Sequence, residues 1–373
     1  MSVEHNEVIR QPAEVRCAAE LAALRLNDRG SRPPGWQLSP RAVETFILGS
    51  AEPLPGPDGA PVTIAPKFVG DRRLVQVAIA TLASDRALLL AGEPGTAKSW
   101  LSEHLAAAIS GSSALTIQGT AGTTEEHLKY GWNYALLIAE GPSRRALVES
   151  PVLRGMQLGR IVRFEEITRC SAEVQDALIS ILSEGQIVIP ELGETVQARR
   201  GFALIATANT RDRGVNEMSA ALKRRFTFVT IPVITDIDEE VAIVERRSRE
   251  TLTQLGMPGD IAVPRDVIRL LAMVFAELRN GQTMDGALKV KSPSTVLSTA
   301  ELISTVTSSA ILSSFFGGGQ VDIGDGVASL LGIIAKEQRD DVGIFKEYLE
   351  TVVKGRRDEP WPSLYRAARE RLG

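Results

Sequence analysis

Apolar positions along the chain follow two rhythms, and the changes between them divide it into parts. In residues 10–27, Val15, Ala18, Leu21, Ala22 and Leu24 recur at the three-to-four spacing of a helix. Ser39-Pro40 opens a second helical pattern through Ala42, Val43, Phe46 and Ile47, with proline at a first-turn position that needs no N–H. Between Pro53 and Pro66, proline and glycine dominate; they remove backbone donors and predict a linker or strap. From Phe68 the rhythm changes. Short apolar runs at 87–91, 115–118, 161–164, 202–206 and 226–231 alternate with helical stretches, which predicts an α/β fold: a three-layer sandwich with a largely parallel sheet covered by helices. After Pro232 the runs stop. Helical periodicity then covers Arg265 to Arg279, Ser294 to Phe315 and Val327 to Lys336, so a smaller all-helical domain is expected to follow. Gly317-Gly318-Gly319 and Gly324 read as a flexible break inside it. The expected division is residues 1–66 as N-terminal helical segment and strap, 67–232 as the α/β domain, and 233–373 as the helical domain.

Composition removes several classes. Hydrophobic residues at 44% and charged residues at 24% fit a globular chain and exclude wholesale disorder. Lys and Arg number 42 against 46 Asp and Glu, so a net charge of −4 argues against a chain that holds nucleic acid by bulk charge. Cys17 and Cys170, with His5, His104 and His127, form neither a zinc-ligand spacing nor a disulfide framework, which suits a reducing compartment. The amino terminus is polar and acidic without the apolar run of a secretory leader, and the greasiest stretch, Ala310 to Phe316, is too short to span a bilayer. The expectation is a soluble cytoplasmic protein with no membrane partner.

The chemistry concentrates at the ends of the apolar runs. Leu88 to Ala91 leads through Gly92-Glu93-Pro94-Gly95-Thr96-Ala97-Lys98-Ser99-Trp100, nearly the G-x-x-x-x-G-K-[ST] phosphate loop. In such a loop successive backbone N–H groups turn inward around the β-phosphate of ATP, the Lys98 ammonium spans the β- and γ-phosphates, and Ser99 holds Mg²⁺. Ala97 stands where the pattern has its last glycine. A right-handed residue there would carry alanine at little penalty, whereas a left-handed one would cost roughly 1–2 kcal/mol. The run Ile161 to Phe164 ends in Glu165 and Glu166: the first suits water-mediated support of Mg²⁺ and the second suits polarising the attacking water, provided the strand has ended before Glu166. Glu165 is a methylene longer than the usual aspartate. Asn209 closes the next run and is placed to order that water. Lys223-Arg224-Arg225 precedes the last run. Arg225 first and Arg224 second are candidates for a guanidinium acting on nucleotide in a neighbouring subunit, with Arg211 and Arg213 as lesser ones. Ser171 is expected to cap a helix whose stripe Val174, Ala177, Leu178, Ile181 and Leu182 is core.

This order of motifs resembles the AAA+ ATPases and, within them, the MoxR family. Gly92–Ser99 is similar to Walker A, Ile161–Glu166 to Walker B, Asn209 to sensor 1, and Leu222–Phe226 to the arginine-finger segment; Glu165-Glu-Ile-Thr-Arg169 resembles the family's D-E-I-N-R. The stretch between Gly119 and Arg160, with Gly131-Trp-Asn-Tyr134, sits where that family carries its helix-2 insertion. One departure stands out: Lys291-Ser292-Pro293-Ser294 replaces the S-P-R of the lid, so the sensor-2 arginine is missing, and Lys289 or Lys291 is a candidate for weak compensation without the bidentate fork. The resemblance implies Mg-dependent ATP hydrolysis in a ring, usually a hexamer, chaperone-like remodelling, and partners bearing von Willebrand A domains. Two rival readings keep the nucleotide: a scaffold with little turnover, and a GTPase of the McrBC type associated with DNA, to whose M-N-T-A-D-R-S stretch Thr207 to Arg213 is similar.

Overall fold

The computed structural model describes residues 8–84, 86–210, 216–257, 261, 263–335 and 339–373. It separates into two units, one of residues up to Glu93 and Ala97–Pro232, the other of Pro94–Thr96 and Val233–Gly373.

The first unit is built on five parallel strands: β1 (Ala87–Gly92), β2 (Thr116–Gln118), β3 (Ile161–Glu165), β4 (Ala203–Asn209) and β5 (Phe226–Ile231). Their order across the sheet is β5-β1-β4-β3-β2. Because β2 crosses to the far edge while β5 lies on the other side of β1, the chain reverses direction of winding beside β1, the position where open parallel sheets leave a crevice at their carboxyl ends. Every residue of β1 is buried, as expected for a central strand covered on both faces. Alternation sorts the side chains. Leu88 and Leu90 of β1, Ile161 of β3, Ile205 of β4, and Val229 and Ile231 of β5 pack with Leu101, Leu105 and Ile109 of the Lys98–Ser110 helix. Ala87, Leu89, Val162, Phe164, Leu204, Ala206 and Phe226 pack on the opposite face with Val174, Leu178 and Ile181 of the Ala172–Glu184 helix. Ser171 caps that helix through the Val174 N–H, and left-handed Gly185 ends it.

The N-terminal segment is part of this core. Leu21, Leu24, Leu38, Val43, Phe46 and Ile47 join the first face, and Ser39 caps the Pro40–Leu48 helix by accepting from Ala42 N. The proline-rich strap pairs Leu54–Pro55 with Pro61–Val62 in a short antiparallel ribbon and buries Ile64 in the same cluster. Two further hairpins, Tyr130–Trp132 with Leu147–Glu149 and Gln186–Ile189 with Glu194–Gln197, stand outside the sheet.

The second unit is helical among its described residues: Ile237–Gln254, Arg265–Asn280, Thr299–Phe316, Ile323–Ile334, Arg339–Thr351 and Trp361–Leu372. Val241, Leu271, Phe275, Leu302, Val306, Leu330, Phe345 and Leu364 form its core. The Thr299–Phe316 helix starts five residues later than the periodicity predicts. Its cap is Ser298, and Ser294 and Thr295 are held outside it by Asp341, which accepts from Ser294 N and Oγ at 2.8 and 2.7 Å and from Thr295 N and Oγ1 at 3.0 and 2.8 Å. Gly317–Gly319 separates two helices as expected, but Gly324 does not: it lies in the first turn of Ile323–Ile334, behind an Asp322 and Asp325 capping box. No helix among the described residues is long and apolar enough to cross a membrane.

Candidate functional site

Register brings the polar strand ends to one edge and one face. In β3, Ile161, Arg163 and Glu165 share a face, and Ile161 places it toward the Lys98–Ser110 helix. Ile205 of β4 pairs with Arg163, so Thr207 comes opposite Glu165, and Asn209 of the same strand pairs with Gly92 of β1. Gln118 of β2 pairs with Glu165 from the other side. Thus Gly92, Asn209 and Glu165 end their strands at the sheet's carboxyl edge, with Thr207 beside Glu165.

The loop after β1 turns directly into the Lys98–Ser110 helix. Gly95 has φ of 77° and Ala97 has φ of 64° and ψ of 22°, so both are left-handed. Alanine therefore sits in the conformation that disfavours it, held there by the loop rather than chosen by the residue. The Lys98 side chain is buried, and its Nζ donates to the carbonyls of Gly92 at 3.1 Å and Glu93 at 2.6 Å. Those carbonyls fold the ammonium back under the loop, whose outer residues Gly95, Ala97 and Ser99 are exposed.

Glu165 is the most heavily bonded carboxylate at this edge. Its Oε2 accepts from Ser99 Oγ at 2.6 Å and Thr207 Oγ1 at 2.8 Å; its Oε1 accepts from Ser102 Oγ at 2.7 Å and the Arg163 guanidinium at 2.7 Å. Burial pushes its pKa up, but the Arg163 charge and the three hydroxyls outweigh this and hold the carboxyl below its usual range. Glu166 follows in the left-handed region, φ 56° and ψ 48°. That one residue ends the alternation of the strand, so both acids remain at the same edge. Thr207 ties them together, because its Oγ1 accepts from the Glu166 N–H at 2.9 Å while donating to Glu165. Gly119 makes room: its N–H donates to the Glu165 carbonyl at 2.7 Å, and a Cβ there would come within 2.3 Å of the Glu166 carbonyl oxygen. The Glu166 carboxylate pairs with Arg169.

The remaining predicted residues divide. Pro94 and Thr96 are loop residues, half-buried. Trp100 is on the helix next to Ser99 but faces the N-terminal segment: Nε1 donates to the Lys67 carbonyl at 2.9 Å and the Arg16 guanidinium lies 4.6 Å from the ring centroid. Arg224 and Arg225 precede β5, where Arg225 O accepts from Ala87 N at 3.1 Å. That is the start of β1, a strand length of roughly 17–20 Å from the phosphate loop. Arg225 is anchored through Nε to Ser183 Oγ at 2.8 Å and through Nη1 to the Ala221 carbonyl at 2.6 Å. The Arg224 side chain is exposed, without a hydrogen bond or ion pair among the described residues. Arg211 and Arg213 lie outside the described residues. Lys291 pairs with Glu347 at 2.7 Å in the helical unit. Among the described residues no His, Cys, Asp and Glu group is arranged as a metal cluster, and neither cysteine is in a disulfide.

Arg163, Ser102 and Thr207 are the residues that sequence reasoning missed. Their signals were present: Arg163 interrupts an apolar run two residues before Glu165, Thr207 precedes Asn209 by two, and Ser102 follows Ser99 by three. Ser99 and Glu165, which would face a cation, offer oxygen donors only, the set that suits a hard divalent ion.

A phosphate loop, a carboxyl-edge acid pair and this strand order are the features of a P-loop nucleotide-binding fold. Residues 87–226 match the AAA domain of the dynein-related subfamily, and residues 238–371 match the YehL-like AAA+ ATPase C-terminal domain. Over 376 aligned residues the chain is 45% identical to YehL of Escherichia coli (strain K12), covering 100% of both. It belongs to the YehL-like AAA+ ATPases. A 136-residue stretch is 33% identical to Midasin of Giardia intestinalis, covering 35% of this chain and 3% of that protein. Among solved structures, NtrX from Brucella abortus in complex with ATP is similar over 83% of this chain and 70% of that one, with a TM-score of 0.48 and 15% identity.

Proposed function

We propose that the chain binds Mg·ATP at the Gly92–Ser99 loop and hydrolyses it to drive remodelling of a partner protein. The observation that carries this reading is the convergence of Ser99, Ser102, Thr207 and Arg163 on Glu165, with left-handed Glu166 next to it. Backbone N–H groups of the loop receive the phosphates, and Lys98 leaves the Gly92 and Glu93 carbonyls to meet the γ-phosphate. Ser99, with Glu165 behind it, would hold Mg²⁺, whose chemistry is to neutralise charge on the β- and γ-oxygens. Glu166 takes the proton of the attacking water, and Asn209 orients that water from the neighbouring strand.

An arginine before β5 is too far from its own loop to act there, so it serves nucleotide held by another copy in a ring. Arg224, exposed and unanchored, is better placed than Arg225, which is bonded to its own subunit. The finer assignment to MoxR-type chaperone action, a hexamer and von Willebrand A partners rests on the motif order and the 119–160 insertion with its Tyr130–Trp132 and Leu147–Glu149 hairpin. One observation favours the scaffold reading: Glu166 is paired with Arg169, which would keep the base from water until that pair opens. Release of phosphate from ATP and from GTP by the purified chain, with Glu166→Gln as control, tests the motor reading. Activity with GTP alone and retention of DNA would select the McrBC-type alternative.

A further inference from the structure

Arg163 is a cation built into the wall of the acid pair, and no loop or metal chemistry requires it. Its guanidinium donates to Glu165 Oε1 at 2.7 Å and to Ser102 Oγ at 3.0 Å, and reaches the carbonyls of Ser99 at 3.3 Å and Ser113 at 3.2 Å. It therefore touches the strand, the first turn of the loop helix and the entrance to β2 at once. The pair is nearly closed to solvent, with side-chain exposures of 12% for Arg163 and 6% for Glu165. A carboxylate buried this far needs a compensating charge whenever no divalent ion is present.

We propose that Arg163 is a positioning residue that acts as the resident counter-ion of Glu165: it keeps the carboxylate aimed at Ser99 without a metal, and it shares that carboxylate with Mg²⁺ when nucleotide arrives. The inference rests on the reading of Glu165 as the metal-side acid. Two groups compete for one carboxylate. Glu165 keeps its geometry through the empty part of a cycle, and the chain needs more Mg²⁺ for nucleotide uptake than it would without the arginine.

The test uses the full chain, its Arg163→Met and Arg163→Lys variants, and two readouts that do not depend on turnover. Thermal unfolding is followed in EDTA and in MgCl₂ without nucleotide; Mg²⁺ is then titrated against binding of a ribose-labelled fluorescent ATP. Arg163→Met is expected to melt below the parent in EDTA, to regain most of that loss in MgCl₂, and to reach half-maximal nucleotide uptake at about tenfold less Mg²⁺, the scale of one charge-assisted hydrogen bond. Arg163→Lys keeps the charge without the fork and is expected to fall between the two. An equal loss of melting temperature in both buffers with an unchanged Mg²⁺ midpoint overturns the assignment, as does failure of Arg163→Met to fold in either buffer; Arg163 is then a structural cross-link. Should the parent chain take up no nucleotide, the proposed function fails, and the nucleotide-free melting comparison still decides the role of Arg163.

Discussion

Ala97→Gly isolates the cost of the one departure in the phosphate loop. Ala97 has φ of 64° and ψ of 22°, and its side chain is exposed, so a glycine there loses no packing and relieves the Cβ clash with the following carbonyl. The relief is about 1–2 kcal/mol, less about 0.4–1 kcal/mol for the extra freedom glycine brings to the unfolded chain, which leaves about 1 kcal/mol. In a unit of roughly 230 residues this raises the unfolding midpoint by about 2–4 °C. The assay is thermal unfolding with and without Mg·ATP. Because the loop enters the helix in this conformation before any ligand binds, the gain is expected in both conditions, and nucleotide affinity is expected to stay within about twofold. A lower or unchanged midpoint for Ala97→Gly would refute the left-handed assignment and the strain argument with it.

Other predictions draw on the same geometry. Glu165→Gln is expected to flatten the acid limb of stability: the folded pKa lies below the unfolded value near 4.5, so its stabilisation is full above that value and is lost as pH falls toward the lowered one; melting curves from pH 7 to pH 3 read this, and an unchanged acid limb contradicts it. Arg224→Ala is expected to cut turnover by about 10³ while leaving nucleotide binding intact, and adding a Glu166→Gln subunit with its own Arg224 is expected to restore part of it; loss confined to Arg225→Ala would return the role to that residue. Asp341→Ala strips four hydrogen bonds that hold Ser294 and Thr295 and is expected to cost about 3 kcal/mol in the helical unit, read by denaturant unfolding; a change under 1 kcal/mol would contradict the stapling role.

The parts of the site that the sequence displays are those in which neighbours in the chain are neighbours in space. Leu88 to Ser99 carries strand, loop and helix in one stretch, so the phosphate loop could be read directly, and the runs ending in Glu165 and Asn209 announce buried strands with polar tips. The constellation around Glu165 could not be read the same way. Arg163, Ser102 and Thr207 come from three elements and meet only through the β3–β4 register and the helix laid across it. The handedness of Glu166 was equally hidden, because glutamate carries no signal for a positive φ, while that of Ala97 stayed open because the loop pattern has a glycine at its place. The Gln186–Ile189 and Glu194–Gln197 hairpin escaped notice because strands of four residues beside a helical stripe give too short an alternation. In the helical unit the late start at Thr299 reflects a contact from Asp341, forty-odd residues further along, that no local pattern records.

Nucleotide hydrolysis by the Gly92–Ser99 loop and the acid pair is the step on which the proposed function stands. Phosphate release from Mg·ATP by the purified chain, set beside Glu166→Gln with equilibrium binding of labelled ATP measured on both, tests it most directly. Steady release by the parent, a loss of about 10²–10⁴-fold in Glu166→Gln, and nucleotide binding retained in both are the expected results. Equal release from the two chains, or no nucleotide bound by the parent at millimolar Mg²⁺, would contradict it.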